Sequence, residues 1–218
     1  RLESASAAQV AQAQKPYADA YALSLLVQRA DKELWPPYPE RIGDLELWME
    51  DAEQLVLNLD SYQAELLAME ADDRPPESAE YLSRRETLSG LVEGIAALKD
   101  DATGLMGANP AAVSPDHGWS VPRRLAFARR LEAGFAAGGQ YAEAWQNSLP
   151  GLRAAYSGFE VPPAVWMGLV PIGEGPDPQS GLWEFAHLMT GESAARGEDG
   201  KLVLTEQTGI VLVLIAGG

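Results

Sequence analysis

The chain has 218 residues, which is enough for one sizeable domain or two small ones. Thirty-two acidic residues against sixteen basic ones give a formal net charge of −16, so its surface is expected to repel nucleic acid and anionic membranes. The sequence has no cysteine, which excludes disulfides, thiol nucleophiles and thiolate metal sites. It has no apolar run of about eighteen residues that would span a membrane and no visible signal peptide. Since it begins at Arg1 rather than Met, we expect a piece of a longer protein.

Residues 1–35 predict a helix, because alanine is frequent there and favours helical backbone. Pro16 either kinks this helix or lies in the first turn of a second one. The helix is expected to end at Trp35-Pro36-Pro37-Tyr38-Pro39, because proline removes a donor and disfavours helical geometry before it. The residues expected on one apolar stripe are Val10, Tyr17, Tyr21, Leu25 and Leu34.

Residues 40–72 carry the clearest helical pattern, a heptad repeat that Arg74-Pro75-Pro76 ends. Ser78 has the chemistry of an N-cap for a further helix, which continues the same three-four spacing. Because the connections are short, residues 1–103 are expected to form an antiparallel helical hairpin or three-helix bundle. Packing within the chain is favoured over recruitment of a second chain. The repeating positions are Leu45, Trp48, Ala52, Leu55, Leu59, Tyr62, Leu66 and Met69, then Tyr81, Leu88, Leu91, Ile95, Leu98 and Ala102.

A loop of Gly, Pro, Asn and Ser residues spans 104–120 and contains Pro115-Asp116-His117-Gly118-Trp119. A turn in which Trp119 anchors the loop on the bundle is favoured over a ligand-binding or catalytic site. The next predicted helix carries four basic residues close together, and pairing with acidic helices is favoured over binding of an anion. These basic residues are Arg123, Arg124, Arg129 and Arg130.

After Gly138-Gly139, a helix is predicted over residues 140–155, and Val161-Pro162-Pro163 then ends the helical part. Short strands are predicted at 169–173, 182–189 and 202–204, with a hairpin-type turn at Gly197-Glu-Asp-Gly200. Trp183 and Phe185 lie on the aromatic face of the second strand. The predicted fold class is therefore α+β, with a helical module at 1–160 and an antiparallel β element at 161–218.

The last predicted strand consists of six consecutive apolar residues, which is typical of a strand covered on both faces. Three or four short strands cannot cover such a run, so it is expected to pair with β structure beyond Gly218 or with another subunit. The six residues are Ile210, Val211, Leu212, Val213, Leu214 and Ile215.

Segments 168–173, 177–188, 190–192 and 204–218 resemble the region that precedes the formylglycine-generating, sulfatase-modifying-factor-type domain of bacterial proteins. Many such proteins carry a serine/threonine kinase before that region. The resemblance is specific in the last third and looser at Leu34-Trp-Pro36, Leu45-Glu-Leu-Trp48 and 113–128. It implies that the β element starts or completes a C-type-lectin-like fold, with Ala216 where the family has proline.

The resemblance transfers a position in an architecture and no catalytic residue, because the family's copper-binding cysteine pair and all kinase motifs are missing. It implies a partner, the formylglycine-generating-like domain or the chain that carries it, and further a kinase or protease in a signalling protein. No cofactor is implied. The compartment stays open between the bacterial cytoplasm and the extracytoplasmic part of a membrane-anchored protein.

Other chemistry has little support in the sequence. The two histidines lack further ligands at helical spacing, so zinc is disfavoured, and a packed role is favoured for His187. Asp72-Asp73 and Asp100-Asp101 lack the further oxygen ligands that calcium needs. The acid pair Glu50 and Asp51 lies on a solvated helix face and is not expected to supply a general acid.

The first functional hypothesis is therefore a non-catalytic structural and interaction module that positions and completes an adjacent formylglycine-generating-like domain. The alternative is a regulatory sensor that binds a ligand or protein, or a target of regulated proteolysis at residues 72–76 or 191–200. An independent enzyme is the least favoured hypothesis. The residues expected to interact are the strand Ile210 to Ile215 with Trp183 and Phe185, and the group of Trp119, Arg123 and Arg124.

Overall fold

The computed structural model of the chain describes residues 2–71, 78–108, 117–156, 158, 160 and 168–215, with side chains from Val10 onward. It confirms an α+β fold with small antiparallel sheets. A 3-10 turn at Pro39–Arg41 precedes the second helix. The helices are α1 (Leu2–Lys32), α2 (Ile42–Val56), α3 (Leu59–Glu70), α4 (Ala79–Lys99), α5 (Val121–Phe135) and α6 (Gln140–Ala155). The strands are β1 (Leu169–Pro171), β2 (Glu184–His187), β3 (Ala195–Arg196), β4 (Leu202–Val203) and β5 (Val211–Val213).

The chain divides into two compact units, and the division falls within α5. The helical unit comprises residues 1–37 and 41–126, and the sheet unit comprises residues 38–40 and 127–218. The division that the sequence suggests, between residues 160 and 161, stays a prediction. The breaker segments 74–76 and 161–163 lie outside the described residues, as do Ala216 and Gly218.

Helix directions in the helical unit follow from the side chains that join the helices. Tyr81 and Arg84 of α4 bind Met69 and Glu65 of α3, so α3 and α4 run antiparallel, as the sequence predicts. Trp48 of α2 donates to the carbonyl of Leu26 in α1, whereas α1 residues nearer the N-terminus contact the start of α3. The path from α2 to α3 therefore runs antiparallel to α1. The N-cap of α4 is confirmed, since Ser78 Oγ accepts from the Tyr81 amide at 3.2 Å.

The single helix predicted over residues 40–72 is wrong, because Leu57 and Asn58 form a turn between α2 and α3. The Asn58 side chain donates to the carbonyl of Gln54 and accepts from Lys15 Nζ at 2.8 Å. These bonds replace part of the helical hydrogen-bonding at the break. The predicted inward face nevertheless continues across it, because the heptad residues from Leu45 to Tyr62 are buried on both sides.

The apolar stripe predicted on α1 does not form its buried face. Leu34 is buried as predicted, but Val10, Tyr17, Tyr21 and Leu25 are exposed. The buried residues of α1 lie on the opposite side and are Pro16, Leu26 and Ala30.

Helix α1 continues through Pro16, which is buried. Proline has no N–H to donate to the carbonyl four residues back, which here is the carbonyl of Gln12. The carbonyl of Ala13, within this turn, accepts from Arg84 Nη1 at 2.6 Å. Arg84 Nε also donates to Glu65 Oε1 at 2.6 Å, so one guanidinium joins α1, α3 and α4.

The sheet unit contains a three-stranded antiparallel sheet in the order β1-β2-β5. Val170 faces Ala186, and Phe185 faces Leu212 across the two ladders. Strands β3 and β4 form a separate hairpin whose turn is closed by the Gly197 amide on the Lys201 carbonyl at 2.8 Å. This turn lies where the sequence predicts it.

The two faces of the three-stranded sheet are packed by different clusters. On one face, Trp183 and Phe185 pack with Trp145 and Leu152 of α6. The Trp145 Nε1–H donates to the carbonyl of Leu169, which fixes α6 against β1. On the other face, the buried cluster consists of Ile172, Ala186 and Ala194.

Candidate interaction surfaces

Strand β5 is an edge strand of the described sheet, since β2 is its neighbour on one side and no described strand pairs on the other. The Leu214 amide donates to the Trp183 carbonyl at 2.8 Å, and the His187 amide donates to the Ile210 carbonyl at 3.0 Å. Backbone groups alternate in direction along an antiparallel ladder. The N–H and C=O groups of Val211 and Val213 therefore point away from β2, toward the open edge.

The side chains along this strand are more exposed than a doubly covered strand would allow. Ile215 is 75% exposed and Leu212 is 44% exposed, and Ile210 and Val213 are exposed as well. Val211 packs against the cluster of Ala186, and Leu214 packs against the cluster of Trp183. A strand is thus present within the predicted segment, at Val211–Val213, and the described residues of this chain leave most of its side chains uncovered. Coverage by a neighbouring β structure or another subunit stays a prediction.

Trp183 and Phe185, which the sequence places among the interacting residues, lie inside the sheet unit. Trp183 is 2% exposed and Phe185 is also buried. The ring centroids of Phe185 and Trp145 are 5.5 Å apart. These two aromatic residues support the sheet from which β5 presents its edge, and their rings are not available to a partner.

The second predicted group forms an aromatic–arginine cluster in the helical unit. The ring of His117 stacks on that of Trp35, with centroids 4.6 Å apart and an interplanar angle of 2°. Trp119 meets Trp35 edge to face at 5.8 Å. The Arg123 guanidinium lies 4.3 Å from the centroid of the Trp119 ring, and Arg124 lies 5.5 Å from that of Trp35. The loop is thus anchored by Trp119, as the sequence predicts.

Arg124 is fully buried within this cluster. Its Nε donates to the carbonyl of Trp119 at 3.0 Å, and its Nη1 donates to the carbonyl of Ala30. Burial lowers the pKa of the Arg124 guanidinium to about 10, so the group is still charged at neutral pH. Arg124 therefore ties the end of α1 to the start of α5, and its side chain is not presented to an external anion.

The remaining members of the predicted site have local roles. His117 Nε2–H donates to the carbonyl of Asp31 at 2.8 Å, which fixes the tautomer of the ring. Arg130 donates to the carbonyl of Leu188 at 3.4 Å. Burial lowers the pKa of Arg123. Pro115 and Asp116, the other members of the predicted loop motif, lie outside the described residues.

Trp35 is the member of the cluster that the sequence reasoning missed as a site residue. Its ring is the common partner of His117, Trp119 and Arg124. The signal was its place directly before two prolines, where a large side chain is held in an extended segment. The sequence predicts the end of a helix at this position and part of the family resemblance at Leu34-Trp-Pro36, but no role for the Trp35 ring.

Among the described residues, no group of three or more His, Asp or Glu side chains could hold a metal ion. Asp100 instead accepts hydrogen bonds from Thr103 and from the Ala102 amide, and the bonds with Thr103 lower its pKa. Asp72 and Asp73 lie outside the described residues. Within the part of the chain that the structure describes, no helix is long and apolar enough to cross a membrane.

Comparison with known proteins gives no family for this chain: no protein-family model, no curated protein and no solved structure matches it.

Proposed function

We propose that this chain is a non-catalytic interaction module whose β5 edge pairs with an adjacent formylglycine-generating-type domain and completes that domain's sheet. The observation that supports the proposal is the open edge of β5, with the backbone groups of Val211 and Val213 directed outward. Strand addition to such an edge joins two proteins through main-chain hydrogen bonds.

The side chains of the strand favour a protein partner over solvent. Ile210, Leu212, Val213 and Ile215 are exposed apolar residues on one short segment. Natural edge strands are usually protected by charges, proline or a bulge, because an unprotected apolar edge promotes aggregation. Segment 210–215 contains no charged residue and no proline. Pairing with a neighbouring strand would therefore both cover its side chains and satisfy its backbone.

The sequence resemblance names the partner in this proposal. A strand at this position would be the opening strand of a C-type-lectin-like domain, and β1, β2 and β5 would form the start of its sheet. The helical unit would then position that domain, within a protein linked to kinase or protease signalling. The buried positions of Trp183 and Phe185 suit this role, because they give β5 a rigid support.

The test uses a purified bacterial formylglycine-generating-type domain from which the opening strand has been deleted. We expect the present chain to bind this domain, raise its thermal midpoint, and protect the amides of Val211 and Val213 from hydrogen exchange. In the free chain those two amides should exchange quickly, whereas the amide of Leu214, bonded to β2, should be protected.

A matched pair of variants separates edge pairing from general effects. Val213→Pro removes an outward N–H and should abolish binding, because proline cannot donate to a ladder. Val213→Thr keeps the N–H and the branched side chain, and should bind as the unmodified chain does. The proposal is wrong if the chain leaves the domain's midpoint unchanged and the Val211 and Val213 amides still exchange quickly in the mixture.

A further inference from the structure

The outward face of α1 carries an uncharged seam in an otherwise strongly acidic chain. Its six residues are exposed and follow one another at alternating spacings of four and three, which is the spacing of a coiled-coil contact. Val10 is 57% exposed and Tyr21 is 68% exposed. We call this set the α1 seam: Val10, Gln14, Tyr17, Tyr21, Ser24 and Gln28.

The two charged residues within this stretch of α1 point to the other side of the helix. Lys15 Nζ donates to Asn58 Oδ1 at 2.8 Å. Asp19 accepts from Asn58 Nδ2 at 3.2 Å and from the hydroxyl of Tyr62. Both charges are therefore used in packing α1 against the start of α3, so the seam itself carries no charged side chain. The charge from another helix that lies near it is the Arg84 guanidinium, which donates to the Ala13 carbonyl and is paired with Glu65.

The solvent-facing side of helix α2 is acidic, in contrast to the outward face of α1. Its exposed positions include four acidic residues within a helix of 15 residues. Those residues are Asp44, Glu50, Asp51 and Glu53. Two copies of a chain with a net charge of −16 repel one another wherever such faces meet. The α1 seam is a face on which two copies can meet without bringing like charges together.

We propose that the α1 seam binds the same seam of a second copy of this chain as an antiparallel helix pair. In an antiparallel register centred on Asp19, Tyr17 meets Tyr21 of the partner subunit twice, and Val10 meets Gln28 of the partner subunit. The two helix macrodipoles oppose each other favourably in this arrangement. Tyrosine suits the centre, because its ring packs while its hydroxyl stays hydrogen-bonded at the rim. The proposal is independent of the β5 edge.

The size of the seam indicates a weak dimer. The seam is about 27 Å long, since a helix rises about 1.5 Å per residue. A strip of that length and about 10 Å wide is smaller than the ~800 Å² that each partner buries in a standard stable interface. Salt should strengthen the dimer, because it screens the repulsion between the two acidic chains, whereas it would weaken an interface held by ion pairs.

Sedimentation velocity of the whole chain, from micromolar to near-millimolar protein and at low and high salt, tests this proposal. We expect a concentration-dependent shift from monomer to dimer that becomes larger at high salt. Tyr21→Glu should raise the dissociation constant at least about tenfold, because it places a charge inside the seam. Leu67→Glu is the matched control, since Leu67 is exposed on α3 and the substitution adds the same charge outside the seam.

A charge exchange tests the antiparallel register. Tyr17→Lys alone should also be monomeric, whereas an equimolar mixture of Tyr17→Lys and Tyr21→Glu chains should regain the dimer. In the mixed dimer the introduced ammonium of one chain faces the introduced carboxylate of the other, and the second tyrosine contact is unchanged. The thermal midpoint and the circular dichroism spectrum show whether each variant is folded. If one of Tyr17→Lys and Tyr21→Glu does not fold, the other is still compared with the Leu67→Glu control.

Three outcomes would count against the proposal. A chain that stays monomeric at every concentration and salt would overturn it, as would a Tyr21→Glu variant that dimerises as Leu67→Glu does. A mixture of the two charge variants that stays monomeric would overturn the antiparallel arrangement.

Discussion

Three glycines inside helices differ in what an added methyl group would meet, and this difference allows a sharp prediction about packing. At Gly90 in α4, a Cβ atom would have no neighbour within 4 Å. At Gly94 it would lie 2.6 Å from Leu23 Cδ2, the end of a flexible side chain. At Gly151 in α6 it would lie 2.8 Å from Trp183 Cζ2.

The same substitution should therefore change stability in different directions. In a helix interior, Gly→Ala is worth about 1 kcal/mol of helix propensity, which Gly90→Ala should gain in full. Overpacking of a core costs about 1–3 kcal/mol, and the buried Trp183 ring has no room to retreat from Trp145 and Phe185. Gly151→Ala should therefore destabilise the sheet unit by up to roughly 2 kcal/mol, since the overpacking cost exceeds the propensity gain. Gly94→Ala should be near neutral, since a rotamer adjustment of Leu23 costs about as much as the helix gains.

The assay is urea unfolding followed by circular dichroism and tryptophan fluorescence, with the free energy obtained by linear extrapolation. Hydrogen exchange of slow amides in α4 and in α6 assigns each change to its own unit. If Gly151→Ala stabilised the chain as much as Gly90→Ala, the contact between α6 and Trp183 would not be close-packed, and the reasoning would be refuted.

Two further predictions concern charged residues. Arg84→Met removes the two hydrogen bonds that the guanidinium makes to Glu65 and to the Ala13 carbonyl, and it should destabilise the helical unit by about 1–2 kcal/mol. Arg85→Met, at an exposed position, should change the free energy of unfolding by no more than about 0.5 kcal/mol in the same urea assay. Equal effects of the two substitutions would contradict the proposed role of Arg84. Hydrogen bonds from Ser180 hold the pKa of Asp177 below its ordinary value, so its contribution is present above the unfolded pKa and is lost as pH falls through the folded one. Asp177→Asn should therefore lose less stability than the unmodified chain between about pH 5 and pH 3, and an identical loss in both would argue against that contribution.

The sequence predicts α6 and the N-cap of α4 correctly, because both depend on residues that are close together in the chain. Gly138-Gly139 and the spacing of Trp145 and Leu152 predicted a helix over 140–155, and α6 spans Gln140–Ala155. The Ser78 cap is confirmed for the same reason, because the hydroxyl and the amide that it binds are only three residues apart in the sequence. The residues that carry these elements are close together in the sequence.

Features that depend on distant partners could not be predicted in this way. The break at Asn58 leaves the heptad pattern intact, and its side-chain partners Lys15 and Asp19 lie about forty residues earlier. The buried side of α1 depends on which of its two faces meets the other helices. The sequence predicts burial of the face that carries Tyr17 and Tyr21, but these two residues are exposed to solvent.

The candidate interaction strand at residues 210–215 could be predicted only in part, because its place in the sheet depends on distant strands. An apolar run predicted the strand at 210–215 but not its neighbours, because strand order is a property of the whole sheet. The exposure of Leu212 follows from that order. Membership of a formylglycine-generating-type architecture stays a prediction, as do the interaction roles of Trp119, Arg123 and Arg124.

The hydrogen bond between Arg84 of α4 and the backbone of α1 has a mechanical consequence. Neighbouring helices can slide by one turn, about 5.4 Å, when the new register reproduces the old contacts. Arg84 Nη1 donates to the Ala13 carbonyl in α1, so a slip of α1 by one turn in either direction would move that carbonyl away from the guanidinium. The hydrogen bond from Arg84 therefore opposes sliding of α1 along α4 and favours a single register of the two helices.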